Sequence, residues 1–399
     1  MVVFRSCRAI HNEKVSIMIR LVYLLLGILL LGGCATTGNI TSLTHEQVDW
    51  LLSGRALDGV EIDWQELPEE RILYLNPEMR RYAEHAVDGY EGRDRVTALV
   101  SALIGSSGLA LSYDAHATYT AEEVFEHGRA NCLSFTNLFI AMARYVDMDA
   151  QYNEVDVPPI WDMRSNNTLV LNKHINAMVT RQQRFRHVID LNSEEYEQHY
   201  EQRNIDDSLA LAQHYNNKAM GFLIASDYPE ALRYMVKAIE IEPGVSFLWN
   251  NLGSLYRRAG NREAAELSYI AAIDSNEDDL VAMSNVARLY RDTGKIELAL
   301  YYEEKAEAYR MENPYFLYNI AQKAFIQRDY DSALAHVEDA ISRYDKEHRF
   351  FFLKGAILER TGSSQEAYTH FNKALELSSN HAQQARYRRK MDRLNDSNS

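Results

Sequence analysis

Cysteine is scarce in this chain. Its 399 residues carry three, Cys7, Cys34 and Cys132, and the first two lie in the N-terminal 34 residues. The folded body therefore holds Cys132 alone, which excludes a disulfide framework. Positive charge is also in deficit, with a formal net charge of −15. A broad basic face that displaces phosphate counterions is excluded, so no nucleic-acid partner is expected. The histidines show no H-x-x-x-H or similar ligand spacing, so neither a metal nor a cofactor is expected. Long apolar runs are missing too: Leu21–Leu31 is too short for an ordinary transmembrane helix. What remains is ordinary globular material, 46% apolar and 25% charged, in a length that suits two or three domains.

Residues 1–33 read as an export signal. One positive charge at Arg20 precedes the apolar run, and small residues follow it. Leu31-Gly32-Gly33-Cys34 resembles the lipobox of bacterial lipoproteins, which implies lipidation of Cys34 and removal of everything before it. An ordinary signal peptide or an uncleaved anchor is the alternative. Residues 1–17 have no pattern of their own and are consistent with a start codon at Met18. Ala35 rather than Asp after the cysteine implies, by the same resemblance, the outer membrane facing the periplasm. The expectation is a soluble body held to the cell envelope by the lipid on Cys34 through a tether over 34–44.

A domain over 45–205 follows. Helical patterning at Gln47–Leu52, Pro77–Val87 and Arg95–Ile104 is broken by turns, and Thr120 with Glu122 and Glu123 marks another helix start. Gly128 and a capping-type Asn131 precede Phe135, Leu138, Phe139, Met142 and Val146 at helical spacing, so Cys132 falls in the first turn of a helix. Free backbone N–H groups and the positive end of the helix dipole favour the thiolate there, as a nucleophile requires. The alternative is that Cys132 is a small buried hydrophobe.

Beyond this helix the period changes. Tyr152–Val157, Lys173–Val179 and Phe185–Leu191 read as strands, with Ile175, Ala177 and Val179 on one face. If the last two form a hairpin that pairs Val179 with Phe185, His174 lies directly opposite Asp190, near enough for an imidazole–carboxylate hydrogen bond. His174 is then the base for Cys132, and Asp190 holds its ring; His187, a rival base, falls on the other face. Cysteine at a helix start, histidine on a strand and aspartate on the next, in Asn131-Cys132-Leu133-Ser134, Lys173-His174-Ile175-Asn176 and Val188-Ile189-Asp190, resemble the transglutaminase-like superfamily of papain-type cysteine enzymes. The resemblance covers roughly residues 70–200. It implies an α+β fold and a Cys132–His174–Asp190 triad, with peptidases, amidases and degenerate members all known among bacterial relatives. No tryptophan flanks the nucleophile and no calcium-site sequence is present. The backbone N–H of Cys132 is one oxyanion donor, and the second is unassigned.

Residues 212–380 repeat. Ala219, Gly253, Ala287, Ala321 and Gly355 recur every 34 residues, as do Ala231, Ala265, Ala299, Ala333 and Ala367, and then Ala238, Ala272, Ala306, Ala340 and Ala374. Asn251-Leu252-Gly253-Ser254-Leu255-Tyr256 and Tyr228-Pro229-Glu230-Ala231-Leu232 are similar to the tetratricopeptide (TPR) consensus. Five such repeats make an all-α solenoid, followed over 381–399 by a polar capping helix and a tail. Its groove is expected to hold a protein or peptide partner; a rigid spacer or a dimerisation surface is the other reading. Ala324 stands where an aromatic residue is usual, which marks the fourth repeat as irregular.

Together these features lead to an envelope-anchored thiol hydrolase or acyl transferase of peptidase or amidase type, in which a solenoid recruits the substrate. The alternative is a non-catalytic TPR scaffold lipoprotein with a degenerate transglutaminase-like domain.

Overall fold

Helix formation begins with caps. In the computed structural model, residues 42–156, 160–162, 168–170, 173–181, 185–191, 202–378 and 381–397 are described. The proposed lipidation residue Cys34 and the signal segment lie outside them. Among the described residues, no helix is long and apolar enough to cross a membrane. Thr44 opens α1 (His45–Leu52) with a capping box, and Asn76 opens α2 (Pro77–Val87) by accepting from the N–H groups of Glu78 and Met79. Then come α3 (Arg93–Ile104), a two-residue strand β1 (Ser112–Tyr113), and α4 (Ala121–His127). Thr120 and Glu123 cap α4 reciprocally, and Gly128 ends it at φ 68°, a left-handed conformation that favours glycine. Strand β2 (Arg129–Ala130) pairs parallel with β1 and leads straight into α5 (Cys132–Tyr145).

Helix α5 is the centre of the first domain. Every side chain from Leu133 to Ala143 is buried, so the helix is enclosed on all sides rather than laid on a surface. It lies against an antiparallel sheet of order β7-β6-β3-β8, made of β3 (Asp149–Asp156), β6 (Lys173–Arg181), β7 (Phe185–Ile189) and β8 (Gln202–Ile205). A separate pair, β4 (Ile160–Asp162) and β5 (Thr168–Val170), stands between β3 and β6 in sequence. Ile175, Ala177 and Val179 of β6 join Ala150 and Tyr152 of β3 and the apolar residues of α2–α5 in one core. The face assigned from alternation is therefore the packed one.

The hairpin register differs from the sequence expectation by two residues. Val179 pairs with His187, and Arg181 with Phe185, in place of Val179 with Phe185. Strand β6 runs further into the connection than the polar composition of Thr180 and Arg181 implies, which leaves residues 182–184 between the strands. A slip of two keeps every side chain on its face, whereas a slip of one reverses them all. His174 and Asp190 thus become diagonal neighbours on the intended face, and Asn176 takes the place opposite Asp190.

The solenoid consists of five helix pairs and a cap: α6 (Asp207–Ile224) with α7 (Tyr228–Ile241), α8 (Ser246–Ala259) with α9 (Arg262–Ser275), α10 (Leu280–Asp292) with α11 (Ile296–Glu312), α12 (Pro314–Ile326) with α13 (Tyr330–Arg343), α14 (His348–Arg360) with α15 (Ser364–Leu377), then α16 (His381–Ser397). The small residues read from the sequence are the points of closest approach. A Cβ added at Gly253 would sit 2.6 Å from the Tyr269 ring, and one at Gly355 would sit 2.8 Å from the Phe371 ring. Each glycine lets an aromatic side chain of the partner helix lie on its backbone. Ala324 is buried in a cluster with Leu317 and Val337 of the fourth repeat and Phe350 of the fifth.

Residues 42–72 run along the solenoid before the chain enters the first core at Leu75. Ser42 N–H donates to Asp274 at 2.7 Å, Asn261 donates to the Ala56 carbonyl at 2.7 Å, and the Tyr256 hydroxyl donates to the Leu51 carbonyl. Glu70 is fastened by His214 at 2.6 Å and Tyr234 at 3.0 Å. Burial pushes its carboxyl upward, but His214, Lys218 and Tyr234 outweigh that and hold it below the ordinary carboxylate range. This strap and the β8–α6 junction fix the two domains to each other, and Thr41–Ser399 is one compact unit.

Candidate active site

Cys132 is the first residue of α5, at the end of the helix where backbone N–H groups have no intrahelical acceptor. Its position is fixed by side chains on both flanks. Asn131 accepts from the Ser134 N–H at 2.8 Å and donates to Thr118 at 3.0 Å, while the Ser134 hydroxyl accepts from the Tyr119 N–H at 2.8 Å. These bonds lace the 114–120 loop to the helix start. Cys132 itself is partly exposed.

The sulfur of Cys132, a ring nitrogen of His174 and a carboxylate oxygen of Asp190 all lie within 4.8 Å of one another. His174 Nε2 is hydrogen-bonded to Asp190 Oδ2, and the ring also interacts with the Cys132 side chain. Asn176, opposite Asp190, donates to the same oxygen at 3.4 Å and accepts from Asn153 on β3 at 2.8 Å. The three residues chosen from sequence are thus brought together, and His187 is not among them.

The electrostatics follow from burial and partners. His174 is only 4% exposed. Desolvation lowers its pKa, yet the hydrogen bond to Asp190, the interaction with Cys132 and the charges of both raise it to about 10. The ring is therefore an imidazolium at neutral pH, placed between a carboxylate and a sulfur. Three such ligand atoms are also within reach of one metal ion. The bond from Asp190 to His174 already gives the carboxylate a partner, which suits a relay of side chains better than three convergent ligands.

The cysteine opens onto a cavity of about 780 Å³ whose far wall is the solenoid. Gln213, Asn216, Asn217 and Met220 of α6, Phe247, Asn250 and Asn251 of α8, and Asp279 and Val281 at the start of α10 face it, opposite Tyr113, His116, Thr118, Cys132 and His174. The wall is tied to the sheet by Glu154, almost wholly buried, which accepts from Gln213 at 3.0 Å and from Arg203 of β8 at 2.6 Å. Sequence reasoning treated the solenoid and the thiol site as separate devices and missed this shared cleft. A signal was present: Asn217, Asn251 and Asn285 stand at the repeat interval, as do Asn216 and Asn250.

Family models match both domains. Residues 80–181 match the transglutaminase-like superfamily, and residues 248–279 and 318–382 match tetratricopeptide repeats. The chain is a transglutaminase-like domain followed by TPR repeats. The curated TPR repeat-containing protein MJ1428 of Methanocaldococcus jannaschii is 27% identical over 181 residues, 43% of this chain. The match spans only 31% of that relative's length. Among solved structures, the pilF protein of Pseudomonas aeruginosa is 14% identical, covering 45% of this chain and 82% of that one, with a TM-score of 0.26. YrrB, described as a TPR protein with an unusual peptide-binding site, is 15% identical, covering 45% and 92%, with a TM-score of 0.25. Neither score is high enough to bear on function. The transglutaminase-like domain contains Cys132 and His174; Asp190 lies just beyond the matched segment.

Proposed function

We propose that the protein is a thiol acyl transferase or hydrolase acting on amide bonds, with Cys132 as nucleophile, His174 as acid and base, and Asp190 as the group that orients the ring. The observation that carries this reading is the gathering of the three side chains at the start of α5, with His174 held in its charged form. In the first half-reaction Cys132, its proton held on His174, attacks the amide carbonyl carbon as the thiolate. As the C–N bond breaks, His174 passes its proton to the departing amine, and a thioester on Cys132 remains. In the second, the neutral imidazole takes a proton from water or an amine, which attacks the thioester and releases an acid or a new amide. The N–H of Cys132 is the first donor to the oxyanion. The body is held at the cell envelope, at the outer membrane facing the periplasm, through lipid on Cys34, a proposal supported by the Leu31–Cys34 sequence and the apolar run before it.

Labelling of the purified chain with a cysteine-directed acyl probe, followed by mass spectrometry, tests the chemistry. A thioester on Cys132 that is absent in Cys132→Ala and strongly reduced in His174→Gln is expected. If the His174→Gln protein acylates as fast as the parent, or a deletion strain is fully complemented by Cys132→Ala, the domain is a non-catalytic scaffold. Metabolic labelling with an alkynyl fatty acid, lost in Cys34→Ala, tests the anchor.

A further inference from the structure

The solenoid side of the cavity carries a continuous row of carboxamides. Asn285 donates to Asn250 at 2.9 Å, Asn250 to Asn251 at 3.4 Å, Asn251 to Asn216 at 2.8 Å, and Asn216 to Asn217 at 3.4 Å. The row crosses three successive repeats, and its α6 and α8 members face the space in front of Cys132. A carboxamide has two N–H donors and an oxygen with two lone pairs, so a member that gives one bond and takes one within the row keeps capacity for a ligand. The mutual bonds also fix which way each amide points, which reduces the ordering cost of binding.

Charge is sparse on this wall in a chain whose net charge is −15. Asp279 is the single carboxylate among the described lining residues, and its Oδ1 accepts the N–H groups of Val281 at 3.0 Å and Ala282 at 2.9 Å, capping α10. Neither lysine nor arginine is among the described lining residues. The imidazolium of His174 on the opposite wall is already bonded to Asp190, so a ligand that brought a carboxylate or a phosphate to the solenoid wall would give up its hydration for no ion pair of its own, at a cost that amides do not incur. An extended peptide offers carbonyl and N–H groups at about 3.3–3.4 Å per residue, which a row of carboxamides can meet donor to acceptor. Met220, Ile224 and Phe247 beside the row supply apolar contact for its side chains.

We infer that the row and Cys132 serve one ligand, an uncharged internal segment of an extended polypeptide, whose main-chain amides are held by Asn216, Asn217, Asn250 and Asn251 while one amide carbonyl is presented to the thiol. This rests on the acyl-transfer reading above and names its substrate class: peptide amides within a chain rather than a terminal carboxylate or an anionic glycan. The first repeats are then a wall of the active site, and Asn285 of the third extends the same row.

Binding to the full chain carrying Cys132→Ala tests this, by fluorescence anisotropy with unstructured peptides of Ser, Gln, Ala and Val that are N-acetylated and C-amidated. The same peptides with a free carboxylate, and an Asp/Glu-substituted set, are the competitors. Capped neutral peptides bind best, and Asn217→Leu with Asn251→Leu weakens them roughly tenfold, the loss of about two net hydrogen bonds. Asn217→Ser, a milder change, weakens them less. Equal binding by the Leu variant with an unchanged melting curve overturns the inference, as does preference for the free carboxylate or the acidic set, or no binding of capped peptides. If capped peptides bind through the asparagines but Cys132 never forms a thioester with them, recognition stands and the acyl-transfer chemistry fails.

Discussion

The transglutaminase-like domain and the solenoid meet at one cavity but are built by opposite rules. In the solenoid contacts recur in phase with the repeat: Gly253 under Tyr269 is repeated three repeats on by Gly355 under Phe371. In the first domain nothing recurs. One helix start, one loop and one strand pair converge on Cys132, and each polar group there has its own particular partners. A repeated architecture spreads its stability over similar interfaces, whereas a convergent one concentrates function in a few bonds. Substitutions should therefore have graded effects in the solenoid away from the cavity and near-total effects at the triad.

The largest contrast comes from His174→Gln, which should slow acylation of Cys132 by roughly 10²–10⁴-fold and also lower the melting temperature, because Asp190 loses its charged partner. Gly355→Val forces a side chain into the Phe371 ring and should cost about 1–3 kcal/mol of stability. Acylation at Cys132 should be untouched, because the fifth repeat lies outside the cavity lining. Equal loss of acylation in both variants would erase the distinction. Tyr152→Phe sharpens it from within the first domain. The Tyr152 hydroxyl donates to Asn137 of α5 at 2.7 Å in the core, and its removal strands a buried carboxamide oxygen at a cost of about 1–3 kcal/mol by denaturant unfolding. Asn131→Ala is the mildest, about 0.5–2 kcal/mol for a lost cap, but it should also slow alkylation of Cys132 by loosening the helix start.

The triad should couple stability to pH as well. Because His174 is raised from 6.5 to about 10, its contribution is complete below about 6.5 and is lost as pH rises through about 10. The melting temperature of the parent should fall across that window, and the fall should be smaller in Asp190→Asn.

The repeats were legible because a period of 34 residues is written into small side chains that must face a partner helix. The helix start at Cys132 was legible for a local reason, the caps at Thr120 and Asn131. The hairpin was right in face and displaced in register, since alternation encodes parity while the turn sets the offset. Strands β1, β2 and β8 carry short polar sequences whose pairing is decided by tertiary neighbours, so periodicity does not mark them. Attachment of residues 42–72 to the solenoid depends on bonds such as Glu70 to His214, across 144 residues of sequence, where no local pattern has reach. The shared cleft was hidden for the same reason.

The account depends most on His174 being charged between Asp190 and Cys132. Nitrogen NMR of the ring in the intact protein reads this directly: both ring nitrogens protonated at neutral pH, with titration near pH 10, is the predicted result. A ring that titrates near its ordinary 6.5 would contradict it.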